Sequence, residues 1–255
     1  MQTPRIPPAA VVVLIYLGAT GSLEGQHSAP RDSSVHATGV PLIGLGFAAG
    51  ALAAAPFDAG WAATIRGSRP QESVPLRNLS RVGNDWGSPG AIVAAGALWL
   101  GSRALHDSLR SRLGARALES LVLSGVVTGA IKGLAGRARP VAAPGEPGSW
   151  AFGRGIREER FQSFPSGHAT AAFAFASSIT AQLARDRSGV ARWAGPVLFS
   201  LATVTAFART YDNAHWLSDV VAGAGVGTVS GLVVARWHDA HPASWIDTIL
   251  LGRRD

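Results

Sequence analysis

Residues 208–234 read ARTYDNAHWLSDVVAGAGVGTVSGLVV. A polar cluster, Arg209 to Asp219, stands directly ahead of an apolar run from Trp216 to Val234. The run lacks strand alternation and is too long for an ordinary strand, so it reads as a helix. His215 and Asp219 are four apart and share a face on a helix. The carboxylate can then hold one imidazole nitrogen in its protonated form, leaving the other free to attack.

Working outward, five more apolar segments precede this one: Val40–Phe57, Pro89–Leu100 (extending toward Leu105), Leu118–Leu134, His168–Leu183 and Trp193–Phe207. All are rich in Ala, Gly, Leu and Val, and all read as helices. The expected fold class is all-α, a six-helix bundle embedded in a membrane. Hydrophobic residues make up 47% of the 255 and charged residues only 15%, well under the roughly 25% usual for soluble domains. Small residues suit close helix packing in a bilayer. Several segments fall at or below the length of about 20 residues that a perpendicular span needs.

Composition excludes other classes. A chain this apolar is not intrinsically disordered. With no cysteine, disulfides, thiolate catalysis and Cys-type zinc sites are ruled out. The net charge of +7 comes without an arginine-rich tail or an aromatic platform, which argues against nucleic acid as partner. Residues 1–25, with an apolar run from Ala9 to Ala19, read as a signal peptide or N-terminal anchor. A polar linker over 26–38, a helical domain over 39–236 and a solvated tail over 237–255 follow. His238, Asp239 and His241 lie in that tail. The polar stretch 58–88 carries room for a short helix near Trp61, and 141–163 reads as a folded loop. Arginines 103, 110, 112 and 116 and arginines 185, 187 and 192 flank two linkers that the positive-inside rule places in the cytoplasm.

Two further polar stretches resemble the first in their placement. Lys132 to Pro140 reads KGLAGRARP, and Pro165 to His168 reads PSGH. If alternate helices run in opposite directions, all three stretches fall on one side of the bundle. Lys132, Arg139 and Arg209 would then gather three cations, which repel one another unless an anion is present. Arginine forks match phosphate oxygens. Pro165 fits the first turn of the fourth helix. Ser166, Gly167 and His168 would offer a hydroxyl and backbone N–H groups at that helix start. Taken singly, these residues have ordinary explanations, as interfacial cations or helix-end histidines. Asp212 also stands near His215, but the helical offset favours Asp219 as its partner. Asn84 to Gly87 falls on the pocket side.

The three stretches together resemble the signature of the type 2 phosphatidic acid phosphatase superfamily: K-x6-RP, then PSGH, then SR-x5-H-x3-D. Lys132, Arg139 and Pro140 match the first part, Pro165 to His168 the second, and Arg209, His215 and Asp219 the third. Ala208 stands where the family usually has Ser. The resemblance covers about Leu118 to Val234 and implies a bacterial membrane-associated member with a helical phosphatase domain. It implies His215 as the nucleophile that forms a phosphohistidine, Asp219 as its orienting partner and His168 as the acid for the leaving oxygen. Lys132, Arg139, Ser166, Gly167 and Arg209 are implied as the phosphate cradle.

The expected activity is metal-independent hydrolysis of a lipid phosphate or pyrophosphate, with no cofactor. The expected place is the bacterial cytoplasmic membrane, with the site facing outward. Substrates implied by the resemblance include phosphatidate, undecaprenyl pyrophosphate, phosphatidylglycerol phosphate and lipid A phosphates. A soluble exported acid phosphatase, a vanadate-dependent haloperoxidase and a non-catalytic anion-binding membrane protein are the alternatives.

Overall fold

The computed structural model describes residues 33–186, 189–241 and 251. The expected signal or anchor segment and most of the expected tail lie outside them. The described residues contain α1 (Ser33–Ala54), α2 (Asp58–Arg66), α3 (Ser68–Glu72), α4 (Val74–Asp85) and α5 (Ala91–Ala104). α6 (Ser108–Ala135), α7 (Gly167–Arg185), α8 (Ala191–Tyr211) and α9 (Leu217–Ala240) complete the bundle. Isolated bridges join Arg137 to Trp150 and to Gln162, and there is no strand among the described residues. The protein is all-helical, and each of the six apolar segments falls on a helix.

Several boundaries differ from the sequence reading. The helix of α1 already includes residues 33–38 of the expected linker. The stretch 58–88 is helical almost throughout, because Ser73 and Pro75 start α4 cleanly: the Ser73 hydroxyl caps the Leu76 N–H. α6 starts ten residues earlier than its apolar run. Asp107 caps it by accepting from the Arg110 N–H at 2.9 Å, so arginines 110, 112 and 116 lie in its opening turns and not in a linker. At the far end α9 runs on through His238. That side chain is buried and meets Glu119 at 2.8 Å, so it belongs to the bundle and not to a solvated tail.

Helix α9 is the centre of the molecule, packed against α7, α1, α6 and α8. A stripe of three glycines, each four residues from the next, explains how close α7 comes. A Cβ at Gly223 would stand 2.5 Å from the Ser166 carbonyl oxygen, and methyls at Gly227 and Gly231 would strike the Thr170 carbonyl and the Ser177 hydroxyl. Gly227→Val is therefore expected to overpack this seam and lower stability by about 1–3 kcal/mol, read as a lower Tm of the detergent-purified protein.

Three helical stretches are long and apolar enough to cross a membrane by length and composition: Gly39–Arg66, Ser108–Ala135 and Leu217–Ala240. α9 is mostly buried, whereas α1 and α6 turn leucines and valines outward, among them Leu42, Leu45, Leu52, Val122 and Val126.

Candidate active site

Helix ends build the site. α6 stops at Ala135, a turn beyond Lys132, because Gly136 takes the left-handed conformation, φ 60°, and returns its N–H to the Lys132 carbonyl. A side chain there would also collide with the Ala151 carbonyl. The chain then folds back across the bundle: Ala138 N–H donates to Ser149 O at 2.9 Å, Arg139 N–H to Arg160 O at 2.9 Å and Ser163 N–H to Arg137 O at 3.0 Å. The Lys132 ammonium donates to the Gln162 carbonyl, and the Arg139 guanidinium leans on Glu159.

The PSGH stretch leads into α7. Pro165 lies just ahead of the helix and not in its first turn, since Ser166 is the cap residue and Gly167 the first helical one. The Ser166 N–H is not available to a ligand, because it donates to the Asp219 carbonyl at 3.0 Å. Its hydroxyl is fully buried and has no hydrogen-bond partner. Gly167 stands against Lys132: a Cβ there would lie 3.7 Å from the lysine Cε. His168 lies one residue further on, against Gly87.

His215 sits in the turn between α8 and α9, ahead of the helix start at Leu217. The simple helical offset to Asp219 therefore does not apply. The Asp219 carboxylate is 3.9 Å from Nδ1, while the Ser163 carbonyl lies 2.6 Å away. A carbonyl only accepts, so Nδ1 carries the hydrogen and Nε2 keeps the lone pair. Asp219 is occupied elsewhere. It accepts from the Trp216 N–H at 2.9 Å, the Ser163 hydroxyl at 2.5 Å and Arg137 at 2.5 Å. It thus steadies the residue whose carbonyl steadies His215.

Burial holds the His215 imidazole well below the usual histidine range, and the charges of Lys132, Arg139 and Arg209 add to the effect. The same three cations act on His168. Both histidines and all three cationic residues therefore share one electrostatic neighbourhood. An imidazole held neutral at His215 and a second imidazole at His168, both facing a cluster of cations, form a setting for an anion that accepts a nucleophile and releases an oxygen.

Three contributors, Arg137, Asp58 and Ser163, escape the sequence reading, and a fourth, Asn84, is marked there only as part of its stretch. Arg137 is buried and bonds Asp58 at 2.7 Å, Asp219 at 2.5 Å and the Ser218 hydroxyl at 2.8 Å. Asp58, fully buried, also accepts from the Ser218 N–H at 2.8 Å. Ser163 supplies the carbonyl for His215. Asn84 accepts from Arg209 at 2.5 Å. Of these only Asn84 had a signal, the placement of its stretch on the pocket side.

An apolar cavity of about 950 Å³ lies between α1, α6 and α9. Phe47, Leu52, Val127, Ile131 and Val229 line it, and its polar end reaches Arg137, Pro165 and Ser218 beside the site.

Comparison with known proteins bears on this arrangement. The family model described as "PAP2 superfamily" matches residues 113–242. A protein of Porphyromonas gingivalis named lipid A 1-phosphatase is 36% identical over 86 residues, covering 33% of this chain. The match takes in 18% of that relative, so the chain spans only a small part of its length. No solved structure matches.

Proposed function

Because the chain belongs to the PAP2 superfamily, whose match takes in about half of it, we propose that it is a membrane-embedded phosphatase that hydrolyses a lipid phosphate or pyrophosphate through a phosphohistidine. The observation that carries this reading is His215, held by its Nδ1 hydrogen on the Ser163 carbonyl within the field of Lys132, Arg139 and Arg209.

The phosphate docks among those three cations and the first turn of α7, with the unpartnered Ser166 hydroxyl as one more donor. His215 Nε2 attacks phosphorus as the bond to the leaving oxygen breaks, and His168, which takes up a proton once the docked anion offsets the cations around it, gives that oxygen its hydrogen. His168 then takes a proton from water, which attacks the phosphohistidine and frees orthophosphate with His215 restored. The cradle offsets charge building on the transferring group.

The lipid part of the reading rests on the outward apolar faces of α1 and α6, which monomeric soluble proteins rarely expose in such extent. The cavity between α1, α6 and α9 offers an apolar chain a place beside the site. The name of the relative, a lipid A phosphatase, agrees with a phosphorylated lipid as substrate. Arginines 110, 112 and 116 open α6 and Arg185 closes α7, both at the ends remote from the site. Under the positive-inside rule these arginines support a cytoplasmic position for that end, and with it a site on the outer face of a bacterial cytoplasmic membrane.

Phosphate release from detergent-purified protein tests the proposal. Lipid monophosphates and diphosphates should turn over faster than p-nitrophenyl phosphate. Release from none of them overturns a phosphatase reading. Extraction without detergent together with preference for the soluble ester favours an exported acid phosphatase instead.

A further inference from the structure

Arg209 belongs to the cradle, yet its guanidinium is not aimed by the cradle itself. Its Nη1 donates to the Asn84 Oδ1 at 2.5 Å. The other end of the same amide donates from Nδ2 to the Asp212 Oδ2 at 2.6 Å. The amide orientation follows from its neighbours, since a guanidinium only donates and a carboxylate only accepts. Ser80 completes the arrangement by donating to the Asp212 Oδ1 at 2.8 Å and accepting from Asn84 at 3.3 Å.

Asp212 is the natural competitor for Arg209. The two are three residues apart at the end of α8, and the carboxylate stands 3.9 Å from Nη1. A direct, two-pronged pair would turn the guanidinium away from any phosphate. With Asn84 between them the carboxylate is satisfied from α4, while the buried Nε of Arg209 remains without a partner. The position of α4 is set nearby. Gly83 packs so tightly on α8 that a Cβ there would lie 2.5 Å from the Val204 carbonyl oxygen and 2.8 Å from the Ala208 Cβ. The Thr205 hydroxyl also donates to the Gly83 carbonyl at 2.9 Å. This seam delivers Ser80 and Asn84 to the turn that follows Arg209.

We propose that Asn84, supported by Ser80, is a positioning residue that keeps Asp212 from capturing Arg209 and so holds that arginine ready for the substrate phosphate. The inference rests on the phosphatase reading above and names which residues of α4 set its phosphate affinity.

The test is a double-mutant cycle read by competitive inhibition with inorganic orthophosphate and by KM and kcat on the preferred lipid phosphate. Asn84→Ala lets Asp212 close on Arg209, and phosphate affinity should fall about tenfold or more, equivalent to about 1.4 kcal/mol. KM should carry more of the loss than kcat. Asn84→Asp, which keeps the volume but replaces the amide donor with a second carboxylate, should fall at least as far. Asp212→Asn should bind phosphate no more weakly than wild type. Combined with Asn84→Ala it should restore affinity to within about threefold, a coupling of the kind that neighbouring groups show. A residue that merely supports the fold would not be rescued by removing Asp212. Unchanged affinity in both Asn84 variants, or a double variant as weak as Asn84→Ala, overturns the proposal. Wild-type protein that hydrolyses no phosphate ester defeats the phosphatase reading instead, so the two failures are distinct.

Discussion

His215→Ala is expected to lower kcat/KM for the lipid substrate by about 10³-fold or more, a loss of roughly 4 kcal/mol of transition-state stabilisation. The variant removes the nitrogen proposed to attack phosphorus. It also strands the Ser163 carbonyl, which costs about 1–3 kcal/mol, so a second variant guards the interpretation. His215→Asn keeps a donor for that carbonyl and should fold as well as wild type with activity equally lost. Activity near wild type in either variant rejects the nucleophile assignment. The pH profile supplies an independent reading. Burial and the three cations favour the neutral ring, so the lone pair survives to more acidic pH than an ordinary histidine with a pKa near 6.5 would allow. The acid limb of kcat/KM should lie below that value. Arg139→Gln, by removing one positive neighbour, should move it upward.

Arg137→Met is expected to be the most destabilising single change in the site, at about 3–5 kcal/mol. The guanidinium lies between Asp58 and Asp219, which are both fully buried. It also stacks near Trp150 and Trp216, 4.9 and 5.6 Å from the ring centres, and donates to the Pro147 carbonyl at 2.8 Å. Without it two carboxylates are left without their shared cation. Arg137→Lys should recover little, because a point charge cannot reproduce the fork that spans both partners. Adding Asp58→Asn to Arg137→Met removes one stranded charge and should regain part of the loss. Thermal unfolding in detergent decides it: a Tm unchanged in Arg137→Met would mean that the network contributes nothing to the fold.

The contrast between Arg137 and Arg139 shows what could be read in advance. Both stand in KGLAGRARP, and the spacing to Lys132 and Pro140 singles out Arg139. Nothing in the string marks its neighbour as the buried hub, because its partners Asp58 and Asp219 lie 79 and 82 residues away. The six helices were legible because apolar runs are long and local. The opening of α6 was not, since its cap at Asp107 and its arginine-bearing turns look like a linker by composition. The same limit applied to His215. Its spacing to Asp219 suggested a helical pair, but the true acceptor is a backbone carbonyl, and every residue has one. Asn84 was visible only as a member of a stretch near the pocket, because its value comes from standing between two specific charges.

That main-chain hold on the imidazole has a consequence for tolerance. No side-chain replacement at position 163 deletes the acceptor itself, so point changes at the exposed positions between Arg137 and Ser163 leave the aim of Nε2 largely intact, whereas Gly155, packed on the Lys132 carbonyl, admits no side chain. Length is another matter. Adding or removing one amino acid there would drag the carbonyl off its mark, so this segment should accept drift in spelling far more readily than drift in size.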